Sequence, residues 1–312
     1  MSHLALAFLS LLWATSFLLI KIASRSFDSA TLALGRAGFA AIALALIAVA
    51  MRASWPRAPR LWGRMAALAI AGQVMPFVLF GVAAHMTTSA DMALMMGGVP
   101  IFTAVIARIF RLDEVWNGRA ALGLALGLAG VAISLASPLG AAGASAAAAS
   151  PGLGRALSLL GAFGYSVGAL LSRGVSREIG AAMTVTGSML ISSALLFVFV
   201  LVAHGPPSPA ALLTTPIGPL AALVALAVLN TALAYFIYFW LISVAGATFA
   251  ALNNYIVPCL GLLAGAWTLG DPVGPSSWLG LACVLGGVVL TGTAAKTARV
   301  IAKPASVGPK PV

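Results

Sequence analysis

The chain is a succession of apolar stretches, each about as long as a bilayer's hydrocarbon core is thick, separated by short breaks. A helix needs about 20 mostly apolar residues to cross ~30 Å of hydrocarbon. By that ruler the sequence predicts ten spans, at 4–23, 29–51, 62–84, 90–110, 116–136, 152–173, 181–203, 217–243, 247–269 and 276–294. The breaks hold residues that end helices. Ser54-Trp55-Pro56 with Arg57 and Pro59 closes the second span, and Gly205-Pro206-Pro207-Ser208-Pro209 closes the seventh. Proline lacks the N–H that would continue the ladder, and its ring strikes the preceding turn. The Ala/Gly/Ser run from Gly140 to Ser150, closed by Pro151, reads as a flexible linker. The basic, proline-containing residues after Ala295 read as a disordered tail.

Composition says which solvent such a chain needs. Hydrophobic residues make up 62 % and charged residues only 7 %, against about a quarter charged in a soluble domain. A water-soluble core of this size could not hide so much apolar surface, so the bilayer must solvate most of it. The net charge of +11 would point to nucleic acid in a soluble domain. Here the basic residues fall in short loops and the tail, where they set orientation. With the N-terminus inside, thirteen of the 17 Lys and Arg residues collect on the cytoplasmic side, leaving Lys21, Arg25, Arg36 and Arg155 toward the other. Both termini are therefore expected to be cytoplasmic. The first apolar stretch is too long for a signal-peptide core and lacks a small-x-small cleavage site, so it is expected to remain. Cys259 and Cys283 lie inside spans at a spacing that suggests neither a disulfide nor a metal site. No metal and no cofactor is expected.

The sequence also matches itself. GLALGLAGV, from Gly123 to Val131, aligns with GLACVLGGV, from Gly280 to Val288, and nine residues before each opening glycine stands an acid, Glu114 or Asp271. Ala93, Leu94, Val99 and Pro100 match Ala251, Leu252, Val257 and Pro258 at one constant offset, and Trp13 and Lys21 correspond to Tyr165 and Arg173. The order of these matches implies a duplication. The halves are residues 1–137 and 152–294, with residues 295–312 as the tail. Five spans is an odd number, so the second copy enters the membrane upside down relative to the first. Inverted repeats of this kind build alternating-access carriers, with the site near the midplane between the halves.

The residues Trp13-Ala-Thr-Ser16-Phe17 with Lys21, then Leu34-Gly35-Arg36, resemble the opening of the repeat found in EamA-type drug/metabolite transporters. Thr88-Ser89-Ala90, Ala93-Leu94, Pro100, Glu114 and the glycine-rich fifth span continue the resemblance. It extends from about residue 4 to 294, because the second half repeats it. It implies an all-α integral membrane protein of ten helices with cytoplasmic termini, exporting amino acids or other small metabolites. The aromatic amino-acid exporters are the most similar branch. Asp271-Pro272 departs from the pattern, which usually has Glu, and puts in doubt any role for that acid beyond capping.

Polar residues inside a bilayer are costly, so each is a candidate for function. Arg36 offers either an anchor for a substrate carboxylate or a structural donor. Lys21 lies nearer the surface and is expected to snorkel. Ser16 belongs to the opening motif of the first span. Asn253 and Asn254, one turn before Pro258, and Gln73 and Asn230 carry amides that can serve a zwitterion or bind neighbouring helices. Trp13 and Tyr165 lie deeper than an interfacial belt requires and are expected on the cavity wall, with Tyr235 from the aromatic-rich eighth span. Pro76, Pro100 and Pro258 are candidate kinks about which helices splay. His85 and Asp91 flank an outer loop and are expected to be solvated.

The six acids, Asp28, Asp91, Asp113, Glu114, Glu178 and Asp271, all map to span ends or loops. Proton-coupled carriers place a titratable carboxylate in the pathway, so facilitated diffusion or exchange is expected. No Lys or Arg occurs between Arg177 and Lys296, which disfavours phosphorylated solutes. There is no phosphate loop and no His-Glu-x-x-His. The expected partners are a small-molecule solute and lipid, not nucleic acid, and a monomer suffices. An exporter of drugs or nucleobases is the nearest alternative. An intramembrane enzyme is the alternative of a different class.

Overall fold

The structure, a computed structural model, describes residues 1–110, 118–136, 150–205, 214–245 and 253–301. Among these the secondary structure is all helical. In chain order the helices are α1 (Ser2–Ala23), α2 (Ser29–Ala50), α3 (Pro59–Ala69), α4 (Met75–Met86), α5 (Ser89–Met95), α6 (Gly98–Ile109) and α7 (Gly118–Ala136). The second half holds α8 (Pro151–Ile179), α9 (Ala181–His204), α10 (Ile217–Ala227), α11 (Ala234–Ala245), α12 (Asn253–Leu269) and α13 (Pro275–Ile301). Among the described residues seven helical stretches are long and apolar enough to cross a membrane, and shorter apolar helices cover Ala121–Ala136, Ile256–Leu269 and Pro275–Leu290. These three fall where the fifth, ninth and tenth spans are expected.

Several boundaries differ from expectation for identifiable reasons. The third span is not one α-helix: a π-helical segment, Ile70–Val74, joins α3 to α4. Pro76 follows it in the first turn of α4. The widened turn relieves both the missing N–H and the ring clash that a proline brings to a helix interior. The eighth span holds a second π segment, Val228–Leu233, at the corresponding place in the repeat. There the Thr231 hydroxyl donates to the Leu226 carbonyl at 2.8 Å. The fourth span breaks between α5 and α6 at Met96-Gly97, so Pro100 sits in the first turn of α6 rather than at a mid-helix kink. Pro258 does lie inside a helix. α8 runs on to Ile179 and α13 to Ile301, both past their expected ends. The linker expected from Gly140 lies, except for Ser150, outside the described residues, as do 246–252 and 302–312.

Helix ends follow local chemistry. Asp28 caps α2, its carboxylate accepting from the N–H groups of Ala30 at 2.9 Å and Thr31 at 3.1 Å. Burial pushes its carboxyl up, but the hydrogen bonds from Thr31 and Ala30 outweigh this and hold it below the usual aspartate range. Glycine at positive φ ends α8 at Gly180 (φ 77°) and α12 at Gly270 (φ 69°), a conformation that strains residues with a Cβ.

The halves interlock. α1 packs on α10, α11 and α12 of the second half, while α8 packs on α3, α4, α5 and α6 of the first. α2 pairs with α9, and α7 pairs with α13. The glycine-rich sequences that match each other are therefore the two faces of one seam. A Cβ on Gly130 would lie 2.7 Å from the Gly280 carbonyl oxygen, and one on Gly287 would lie 2.5 Å from that of Gly123. Small residues let backbones approach where lipid offers no hydrophobic drive between helices. Outside the bundle, large apolar side chains face outward, with Val202 82 % and Trp267 81 % exposed. Exposure on this scale suits lipid rather than water.

Candidate functional site

Four helices, α1, α4, α8 and α11, bring aromatic side chains together. Trp13 of α1 meets Tyr235 edge-on at a centroid distance of 6.0 Å and Tyr238 at 5.2 Å, both from α11. Tyr165 of α8 stacks on Phe80 at 6.0 Å, and Phe80 meets Phe17 at 5.5 Å. Trp13 and Tyr165 pack against one buried cluster, and Tyr165 and Tyr235 against another. The structure thus brings Trp13, Tyr165 and Tyr235 to one region, from both halves.

Arg36 is buried beside them. Its guanidinium carbon lies 4.0 Å from the centre of the Phe77 ring, and its Nε donates to Thr231 Oγ1 at 3.1 Å. It is close enough to Tyr235 to interact with it electrostatically. Among the described residues Nη1 and Nη2 donate to no acceptor, so the charged fork keeps hydrogen-bonding capacity. Thr231 and Phe77 were not legible as its partners in the sequence.

The amides are employed differently. Gln73, in the first π segment, donates to Ser188 Oγ at 2.8 Å and accepts from Ser192 Oγ at 2.5 Å, both on α9. Asn230, in the second, donates to the Leu12 carbonyl, to Thr15 Oγ1 at 3.0 Å and to Ser16 Oγ at 3.3 Å. Ser16 and Asn230 are therefore joined to each other across α1 and the second π segment. Gln73 and Asn230 bind helices together, and neither points freely into a cavity. The Gln73–Ser188 and Thr231–Arg36 bonds are repeat counterparts. Their positions differ by the offsets that relate Pro100 to Pro258 and Trp13 to Tyr165, a signal present in the sequence. Asn253 is buried and Asn254 half-buried at the start of α12. Their repeat counterparts, Met95 and Met96, mark the break between α5 and α6.

An apolar crevice of about 240 Å³ opens between the C-terminal part of α2, the start of α9 and α11. Leu44, Met51, Met183, Phe236 and Trp240 line it, and Tyr235 reaches it from the aromatic cluster. It lies toward the end of the molecule that carries Arg52, Arg57, Arg60 and Arg64.

At the opposite end charged groups gather about the turn between α4 and α5. Lys21 does not snorkel: its ammonium donates to the carbonyls of Ala84 at 2.5 Å and Thr87 at 2.7 Å. Asp91 is not a solvated loop residue either. Its Oδ2 lies 3.0 Å from Nε of Arg155, which is 2 % exposed, and accepts from Thr87 Oγ1 at 2.7 Å. His85, by contrast, is exposed. Asp271 accepts from Ser89 Oγ at 2.6 Å and from the Ala90 N–H at 2.9 Å, so it caps a helix of the other half. Asp113 and Glu114 lie outside the described residues. Among the described residues no group of three or more His, Cys, Asp or Glu is arranged to hold a metal ion.

A model of the EamA-like transporter family matches residues 1–136 and 152–293. No curated protein matches the sequence. A solved structure titled "Crystal structure of protein" aligns with 95 % of this chain and 98 % of its own, with a TM-score of 0.64 at 20 % identity. That likeness shows the fold alone.

Proposed function

The chain belongs to the EamA-like transporter family, and from that premise we propose that it exports small zwitterionic solutes, aromatic and large apolar amino acids first. It is a multi-pass membrane transporter. In this reading ten spans form two inverted five-helix halves, the basic loops and both termini face the cytoplasm, and the membrane is the inner one. The arrangement of Arg36 carries the solute assignment. A guanidinium whose Nη donors are unused among the described residues sits beside a cluster of Trp13, Tyr165 and Tyr235, which suits a carboxylate attached to a ring. Asn253 and Asn254, at the start of α12, are the candidates for the ammonium end.

The apolar crevice is the entry on the cytoplasmic side, while the charged contacts about the α4–α5 turn close the outer side. Transport then proceeds as the halves rock about the aromatic site. The described acids lie at helix ends and turns, which supports facilitated diffusion or exchange. The test is counterflow in proteoliposomes loaded with one unlabelled amino acid at a time. Accumulation of labelled aromatic amino acids is expected. A flat panel from folded protein would overturn the amino-acid assignment.

A further inference from the structure

We propose that Lys21 and Asp271 form a two-sided clamp that holds the outer face shut, and that Gly265 is the residue that lets it close. The proposal rests on reading the face of the α4–α5 turn as the outer one.

Helix ends leave backbone groups without intrahelical partners, and inside a membrane water is scarce to serve them. The α4–α5 turn presents such groups, and charges from elsewhere in the chain take them. The Lys21 ammonium, on α1, binds the Ala84 and Thr87 carbonyls at the end of α4. The Asp271 carboxylate, just before α13, binds the Ser89 hydroxyl and the Ala90 N–H at the start of α5. A cation thus holds the last carbonyls of one helix, and an anion holds the first donors of the next.

These contacts cross a joint between two packing units. α1 packs on α12, α4 and α6 pack on α8, and α5 packs on both α12 and α8. Both clamp charges come from the side of α1 and α12; the carbonyls that Lys21 grips close α4, which packs chiefly on α8, and the groups that Asp271 grips open α5, which lies between α12 and α8. The Asp91–Arg155 pair is different: it links α5 to α8 and reaches neither α1 nor α12, so it shapes the turn without tying it to the clamp charges.

Gly265 makes the close approach possible. A Cβ there would lie 2.6 Å from Asp271 Oδ2, 2.7 Å from Ser89 Oγ and 2.9 Å from the Ala90 nitrogen. One turn earlier, a Cβ on Gly261 would lie 2.5 Å from that of Ala93. α12 therefore meets α5 along a strip without side chains, and one added methyl at Gly265 intrudes on both clamp hydrogen bonds. The repeat counterpart of Asp271, Glu114, lies outside the described residues.

Releasing the clamp should favour the outward-open state. In a Cys259→Ala/Cys283→Ala background, Leu262→Cys places a reporter in the α5–α12 joint, where Leu262 is buried. Thr186→Cys places a second one in the crevice at the opposite end, and Ser26→Cys, in the exposed α1–α2 turn, reports sidedness. Labelling uses a membrane-impermeant maleimide on intact cells and on inside-out vesicles. Ser26→Cys should label from outside, and Leu262→Cys only slowly. Asp271→Asn, Lys21→Gln or Gly265→Ala should each raise external labelling of Leu262→Cys by about tenfold, the scale of one charge-assisted hydrogen bond, and lower Thr186→Cys labelling from inside. Unchanged labelling at Leu262→Cys, or a rise at both reporters as general loosening would give, overturns the clamp. A Ser26→Cys that labels only from inside-out vesicles overturns the reading of this face as outer, on which the proposal rests.

Discussion

Substituting Arg36 by Gln separates a solute anchor from a structural donor. Two contacts hold the wild-type guanidinium: the Nε bond to Thr231 at 3.1 Å and the Phe77 ring at 4.0 Å. Neither uses Nη1 or Nη2. If those two nitrogens receive a solute carboxylate, glutamine loses a charge-assisted hydrogen bond, worth about 1.5–3 kcal/mol. That is roughly a ten- to 150-fold loss of affinity. The loss should fall on solutes that have a carboxylate. The decarboxylated amine of the same ring compound, counterflowed in the same proteoliposomes, should retain its half-saturating concentration within about twofold, well inside that range. Thr231→Val is the control, because it removes the internal partner and leaves the charge in place. Lost stacking on Phe77, worth up to ~2 kcal/mol when desolvated, would appear as a lower melting temperature in detergent and not as discrimination between solutes. Equal impairment of the acid and the amine in Arg36→Gln, reproduced by Thr231→Val, would refute the anchor and leave Arg36 a structural residue.

Other outcomes follow from particular contacts. Gly130→Ala should destabilise by about 1–3 kcal/mol, because its Cβ meets the Gly280 carbonyl oxygen at 2.7 Å and backbone cannot step aside; Gly152→Ala, with open space around it, should leave the melting temperature unchanged. Asp28→Ala should cost about 1 kcal/mol by uncapping α2, measured by thermal unfolding in detergent. Because the folded carboxyl is held below the usual aspartate range, the wild-type cap stabilises above the unfolded carboxyl's pKa and loses that contribution as pH falls through the lower folded value. Asp28→Asn should keep much of the cap and lose this acid dependence. Gln73→Leu should cost on the order of 0.6 kcal/mol, the average for such bonds in membranes, with transport retained, since Ser188 already donates to Val185 O and the Ser192 hydroxyl, released from Gln73, has the Ala69 carbonyl 3.5 Å away to turn to.

What could be read from the sequence was set by one-dimensional periodicity, and what could not was set by partners distant along the chain. Span length and proline–glycine punctuation place most helices, because each span answers to the bilayer on its own. The π segments escape that reading: Pro76 follows one of them closely, yet its counterpart in the eighth span, Val228–Leu233, has no proline within it or just after it. The duplication was legible from Gly123–Val131 and Gly280–Val288, and the structure explains why those sequences match, since they pack against each other across the α7–α13 seam. Charge was the least legible feature. Lys21, Asp91 and Asp271 stand near span ends, where solvation is the ordinary expectation, and yet each is engaged by groups of other helices. For Lys21 and Asp271 those groups are orphan backbone donors and acceptors at the ends of other helices, which no spacing rule announces. A charge near a span end is therefore not solvated by default. Where two repeats exchange helices, the end of one span lies against the end of another, and a stray charge there has a backbone to bind.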